Sequence, residues 1–357
     1  MHCCEKCFID PELQAIVREN SLIKGKCDFC GNDSVQIYDL ENNTDLKDSL
    51  ESLLDVYTPI NGMEQDFPLE QADLLKNILH TKWHIFNLSA DGIYKFLRAA
   101  FPEKYQEQPA LFDTPIGIVG CNDKEFLQKF SILGSHQWED FVKEIKEKNR
   151  FHTNIINKPV LKDILKVVCK PYKAGTIFYR ARIWNDKEGF TKKQMGAPPA
   201  IKASAGRANP EGISCLYLAD SIETTLHEIR AGLYDSATVA TFKLLKDIEV
   251  VNLAAIDKIS PLQEIDCNLL AINLPHLVKI GNEISKPLRR RDSSLDYLPT
   301  QYISDFIKSE GFAGIEYKST MHKDGVNFAI FDENLFKCTK IASYDIHELT
   351  YRYKKID

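Results

Sequence analysis

The stretch AGRANPEGISCLYLADSIETTLHEIRAG, residues 205–232, carries more information per residue than any other part of the 357-residue chain. It opens as a loop rich in glycine and proline that carries Arg207, passes into a short strand, and ends in a helix. Alternation along the strand sends Leu216 and Leu218 to one side and Cys215, Tyr217 and Ala219 to the other. An aromatic ring then stands between two small neighbours, which leaves room for a ligand. Asp220, three residues before Glu223, predicts a capping box, and Gly232 predicts the stop of a helix over 221–231. Ile222, Leu226 and Ile229 form its apolar stripe, so Glu223 and Glu228 both lie off the core face. Periodicity does not choose between the two carboxylates.

Outward from this stretch, the chain after Pro171 is strand-rich. IFYRARIW (177–184), ATVATFKLL (237–245), IEVVNLA (248–254), AGIEYKS (313–319) and VNFAIF (326–331) are separated by turns and a few helices, which predicts an α+β domain over 171–357. In IFYRARIW, alternation puts Phe178, Arg180, Arg182 and Trp184 on one face, so two arginines share it. Residues 41–170 have helical spacing instead, as in Leu46, Leu50, Leu53 and Leu54, and are expected to be mostly α. Pro68, Pro102, Pro109 and Pro115 fall at the breaks, where helices tolerate proline.

The first 40 residues form a third segment, a small module marked by cysteine. Five of the ten cysteines, Cys3, Cys4, Cys7, Cys27 and Cys30, fall there. Cys4-x2-Cys7 and Cys27-x2-Cys30, 19 residues apart, make two thiolate knuckles able to close a tetrahedral site of four sulfurs, so structural Zn2+ is expected, with Cys3 a spare for Cys4. Four basic against seven acidic residues in this module, and 45 Lys and Arg against 51 Asp and Glu overall, argue for a staple rather than a nucleic-acid reader. The remaining cysteines, Cys121, Cys169, Cys215, Cys267 and Cys338, show no partner spacing and read as small buried residues. Hydrophobic residues at 44% and charged residues at 27% exclude a disordered or low-complexity chain. No apolar run nears the roughly 18 residues of a membrane span, and no secretory signal is visible, so the expected location is cytoplasmic with no membrane partner.

FYRAR (178–182), the GRxNPxGxxxLYLA pattern from Gly206 to Ala219, the helical glutamate that follows, and YKSTMHKDGVNFAIF (317–331) together resemble the RES domain family of toxin–antitoxin toxins. The segment before it is similar to the zinc-bearing HEPN/RES N-terminal region. Arg150 and His152 stand only two apart, closer than the Arg and His of HEPN ribonucleases, so ribonuclease activity is not implied. The resemblance implies an ADP-ribosyltransferase-like fold that takes NAD+ as substrate, breaks its nicotinamide–ribose bond, arrests growth, and answers to an antitoxin or immunity-type protein. It makes Arg180 and Arg207 the pyrophosphate anchors and Tyr217 the flat face for nicotinamide or ribose. Glu228, eleven residues after Tyr217, becomes the carboxylate that stabilises the ribosyl cation, with Glu223 its understudy. Ser319 would hold the ribose or nicotinamide side, and Asn209 would shape the cofactor-binding loop. Taken singly, each of these is an ordinary surface or core residue, and only their joint occurrence in order favours function. The pattern does not call for His227. Arg182 and the run Arg289 to Arg291 read as solvated charges, with contact between one of them and an adenosine phosphate as the alternative. A protein ADP-ribosyltransferase and a non-catalytic zinc-containing interaction module are the alternatives.

Overall fold

A computed structural model describes residues 1–21, 23–63, 67–184, 188–286 and 293–350, so the Arg289 to Arg291 run lies outside the described residues. The chain divides into two compact units. One comprises Met1–His136, Ile155–Val167 and Lys258–His276, and the other Gln137–Asn154, Val168–Asp257 and Leu277–Asp357.

In the first unit β1 (His2–Cys3), β2 (Ile23–Gly25) and β3 (Val35–Asp39) form an antiparallel sheet in the order β1-β3-β2 around the two cysteine knuckles. This module shares a core with the helices: Phe8 lies 5.3 Å from Phe86 and 5.5 Å from Phe96, and Phe29 lies 5.4 Å from Phe96. The helix Asp45–Leu54 buries Leu46, Leu50, Leu53 and Leu54, the stripe its spacing predicts. Pro102 and Pro109 occupy the first turns of Pro102–Glu107 and Pro109–Asp113, where the missing N–H costs nothing. β4 (Tyr57–Pro59) and β5 (Ile116–Ile118) pair across the helical region, a short ladder that helical periodicity did not mark.

The second unit is built on one sheet of β6 (Cys169–Tyr172), β7 (Ile177–Trp184), β8 (Leu216–Ala219), β9 (Ser236–Leu244), β10 (Ile248–Asn252), β11 (Gly314–Lys318), β12 (Val326–Ile330) and β13 (Phe336–Asp345). The order is β13-β9-β7-β8-β12-β11-β10-β6, with β10 and β11 parallel and the other neighbours antiparallel. Phe178, Leu216, Leu218, Ala240, Phe242, Phe328 and Ile330 bury one face together, as strand alternation requires. The α+β class read from the sequence is therefore what the chain adopts. The helix Trp138–Glu147 belongs to this unit, with Phe141 edge-on to Tyr302 of Leu298–Ser309 at 5.4 Å.

Near the middle of the sheet, β7 and β8 share a single registered pair, Tyr179 with Ala219, so the two halves of the sheet part just beyond it. At the far edge, Glu316 is buried on β11 and accepts from the Tyr172 hydroxyl at 2.5 Å and from Lys170 at 3.1 Å, both on β6. Burial and the adjacent carboxylate hold the Tyr172 phenol well above its ordinary pKa. Tyr172→Phe should cost about 1–3 kcal/mol in urea unfolding, because it strips one oxygen of a buried carboxylate of its donor and leaves only Lys170 on the other. A change below about 0.5 kcal/mol would show that water replaces the phenol.

Candidate active site

The helix after β8 spans Ile222–Glu228 and differs from its expected form in three ways. Its cap is Ser221, whose Oγ accepts from the Thr224 N–H at 3.1 Å, not Asp220. Asp220 is still tied to the sheet, its N–H donating to the Val326 carbonyl at 3.0 Å, so the chain has not yet turned. The helix ends at Glu228, and Arg230, at φ 53°, breaks it before Gly232 is reached. Finally, its buried residues are Thr224 and Thr225 rather than the apolar stripe. The reason is the parting of the strands: with β8 paired to β7 only at Tyr179, the Ala181 N–H needs another acceptor and finds the Thr225 hydroxyl at 2.8 Å.

A cavity of about 310 Å3 opens at this parting. Arg180 and Ala181 of β7, Tyr217 of β8, Arg207 of the preceding loop, Glu228 of the helix and Asn327 of β12 all line it. Glu228 Oε1 accepts from Ser319 Oγ at 2.5 Å and from Asn327 Nδ2 at 2.9 Å, while Oε2 has no protein donor among the described residues. Ser319 Oγ itself accepts from the N–H groups of Met321 and His322, at 3.2 and 3.1 Å, so its proton is directed at Glu228. Glu223, with its side chain 72% exposed, faces His322 instead.

The arginines enter from two sides. Arg180 donates to the Tyr217 carbonyl at 3.3 Å. Burial, with the neighbouring Arg182 charge, lowers its pKa to about 10, which leaves it a cation at neutral pH. Arg207 donates to the Ile284 and Ser285 carbonyls, each at 3.3 Å, and lies 5.6 Å above the Tyr317 ring. Among the described residues neither guanidinium is paired with a carboxylate, so both are poised for an anion.

Tyr217 keeps its hydroxyl busy, donating to Asn209 Oδ1 at 2.7 Å and accepting from the Ala208 N–H at 3.2 Å. Burial raises the pKa of this phenol and of Tyr317 well above the ordinary value, so both stay neutral. Asn209 is itself buried, and its amide donates to the Ser204, Pro210 and Ile213 carbonyls, which commits it to the shape of the loop. Gly206 is required there because a Cβ would sit 2.5 Å from the Tyr217 oxygen.

The family profile of the RES domain matches residues 177–353. Residues 177–353 form a RES domain. Among solved structures, a chain of the crystal structure of the M. tuberculosis MbcT-MbcA toxin-antitoxin complex is similar to it at 13% identity, with a TM-score of 0.32, covering 53% of this chain and 92% of that chain. No curated protein matches the chain.

Within the RES domain, Arg180, Arg207, Tyr217 and Glu228 converge on one cavity, and Ser319 and Asn209 reach it through the hydrogen bonds described. Asn327, Tyr317 and Thr225 were not singled out from the sequence. The one available signal was Asn327, a polar residue inside the apolar strand VNFAI. Arg182 is not a solvated charge: it is partly buried, donates to the Gly196 carbonyl at 3.0 Å, and stays outside the cavity lining. A larger cavity of about 630 Å3, lined by Lys173, Ile248, Lys308 and Phe331 among others, contains none of the predicted site residues.

In the other unit, the sulfurs of Cys4 and Cys30 are 3.4 Å apart, as are those of Cys7 and Cys27, and all four lie within 4.8 Å of one another. Bonds of 2.3 Å to a tetrahedral ion set sulfurs roughly 3.8 Å apart, so small shifts suffice to hold a metal ion. The Cys30 N–H and Asn32 Nδ2 point at Cys27 and Cys30 sulfurs, at 3.5 and 3.0 Å, supplying the outer hydrogen bonds that thiolate ligands need. Cys3, fully buried, is not one of the four. Among the described residues no helix is long and apolar enough to cross a membrane.

Proposed function

We propose that the RES domain cleaves the nicotinamide–ribose bond of NAD+ and that the protein acts in the cytoplasm as a growth-arresting toxin. The observation that carries this reading is Glu228, held by Ser319 and Asn327 with one oxygen left open, in a cavity shared with two guanidiniums that lack a carboxylate partner among the described residues. Arg180 and Arg207 bind the pyrophosphate, and the Tyr217 ring gives a flat, neutral wall for the nicotinamide or ribose. The C–N bond breaks with its electron pair leaving on nicotinamide, and the ribose becomes oxocarbenium-like. The free Glu228 oxygen stabilises this cation and its hydroxyls, while Ser319 and Asn327 keep the carboxylate aimed. Water or phosphate then adds to the anomeric carbon and gives up a proton, yielding ADP-ribose or its 1″-phosphate.

Family membership supports the toxin role and an antitoxin or immunity-type partner that masks the cavity. The four cysteines, Cys4, Cys7, Cys27 and Cys30, are proposed to hold zinc as a structural ion, since an all-thiolate tetrahedral set is what that ion prefers. Pure protein incubated with NAD+, with and without phosphate, should release nicotinamide with free ADP-ribose or the 1″-phosphate. Label appearing on protein would move the assignment to a protein ADP-ribosyltransferase, and intact NAD+ would leave a non-catalytic module. In cells, induction should deplete NAD+ and stop growth. Constant NAD+ during strong expression of folded protein would refute the toxin reading.

A further inference from the structure

Glu223, His227 and His322 offer one carboxylate oxygen and two imidazole nitrogens, all within 4.8 Å of one another. Glu223 and His227 are one helical turn apart on Ile222–Glu228 and so share a face. His322 reaches them from the turn between β11 and β12. The two imidazole rings stack at 5.1 Å with planes 6° apart, and His322 Nε2 lies 3.5 Å from Glu223 Oε1.

His322 is held in place from behind. Its Nδ1 is 2.9 Å from the hydroxyl of the buried Thr224, which is 2.7 Å from Ser221 Oγ. A hydrogen bond on the second ring nitrogen is what orients a metal-binding histidine. The turn can close on the helix only because residue 325 is glycine: a Cβ there would sit 2.7 Å from Thr224 Oγ1 and 2.9 Å from His322 Nδ1.

We propose that Glu223, His227 and His322 form a second divalent-metal site, taking Zn2+ or a similar late first-row ion with its remaining positions open to water. Two imidazoles and one carboxylate suit such ions and not the all-oxygen preference of Mg2+ or Ca2+. Bonds of 2.0–2.1 Å bring tetrahedral ligand atoms to roughly 3.3 Å, and the exposed Glu223 side chain has the freedom to close that distance. The bound ion ties the helix to the turn whose His322 N–H donates to Ser319 Oγ at 3.1 Å. It thereby holds the Ser319 hydroxyl toward Glu228. The site is independent of the NAD+ reading and of the four cysteines.

The test uses full-length protein whose four-cysteine site is already loaded with zinc, titrated calorimetrically with further Zn2+. One additional equivalent should bind. His227→Ala and His322→Ala should each weaken it at least tenfold, and Glu223→Gln less. Hydrogen exchange in residues 319–325 should slow on adding Zn2+ to the wild type and stay unchanged in His227→Ala. His322→Ala also removes the contact to Thr224, so His227→Ala, whose ring stacks on His322, carries the decision if the other variant misfolds. Absence of the extra equivalent, or equal affinity in all three variants, overturns the proposal without touching the assignment of NAD+ cleavage.

Discussion

Glu228→Gln should cut NAD+ cleavage by roughly 100- to 10,000-fold, the range for loss of a positioned electrostatic or acid–base group. The amide keeps the shape and can still accept from Ser319 and Asn327, so the loss reads the missing negative charge beside the ribosyl cation. It should appear mainly in kcat, because the arginines proposed to grip the pyrophosphate are untouched. Glu223→Gln should cost less than about tenfold, since its side chain is 72% exposed and directed at His322 rather than the cavity. Equal losses in the two variants, or a loss confined to Glu223→Gln, would mean that the family's glutamate has been placed on the wrong residue.

Removal of zinc should unfold the first unit. Structural zinc in small modules contributes on the order of 10 kcal/mol, comparable to the roughly 5–15 kcal/mol total stability of a domain. The effect should spread beyond residue 40, because Phe8 and Phe29 pack against Phe96 and Phe86 of the helical region. Cys27→Ser, or a strong chelator, should expose Phe96 to hydrogen exchange and proteolysis while the sheet of the second unit stays protected. Gently purified protein with no zinc by elemental analysis, or a Cys27→Ser variant as stable as wild type, would refute the structural-ion assignment.

The strands and helices of this chain were legible because burial imposes its period on the sequence. Leu216 and Leu218 declared the buried face of β8, and Leu46 through Leu54 declared a helix stripe. The cysteine pairs were legible for a different reason: two short Cys-x2-Cys spacings are what a four-sulfur cluster able to hold a metal ion needs, and the four sulfurs do come together. The helix carrying Glu228 was read less well. Its buried face is two threonines, one of which satisfies an N–H of β7 stranded by the parting of the sheet, and no periodicity announces such a partner. Asn327 and His322 escaped for a related reason: each acts across a gap of about a hundred residues, on Glu228 and Thr224 respectively, and only the folded sheet brings them there.

The strand β6 ends five residues before the segment that matches the RES family begins, yet it is the outermost strand of the same sheet. A fragment trimmed to residues 177–353 would therefore bare the full length of β10, a row of unanswered amide and carbonyl groups on a strand whose Val250 and Val251 are buried in the intact protein. It would also leave the Glu316 carboxylate without the phenol and ammonium that neutralise it. Such a fragment should pair edge to edge with its own copies and come out of solution, whereas one begun at residue 137, which keeps both β6 and the helix that covers Tyr302, should not. The working boundary of this RES domain is thus set by hydrogen bonding at its rim, upstream of where sequence kinship starts.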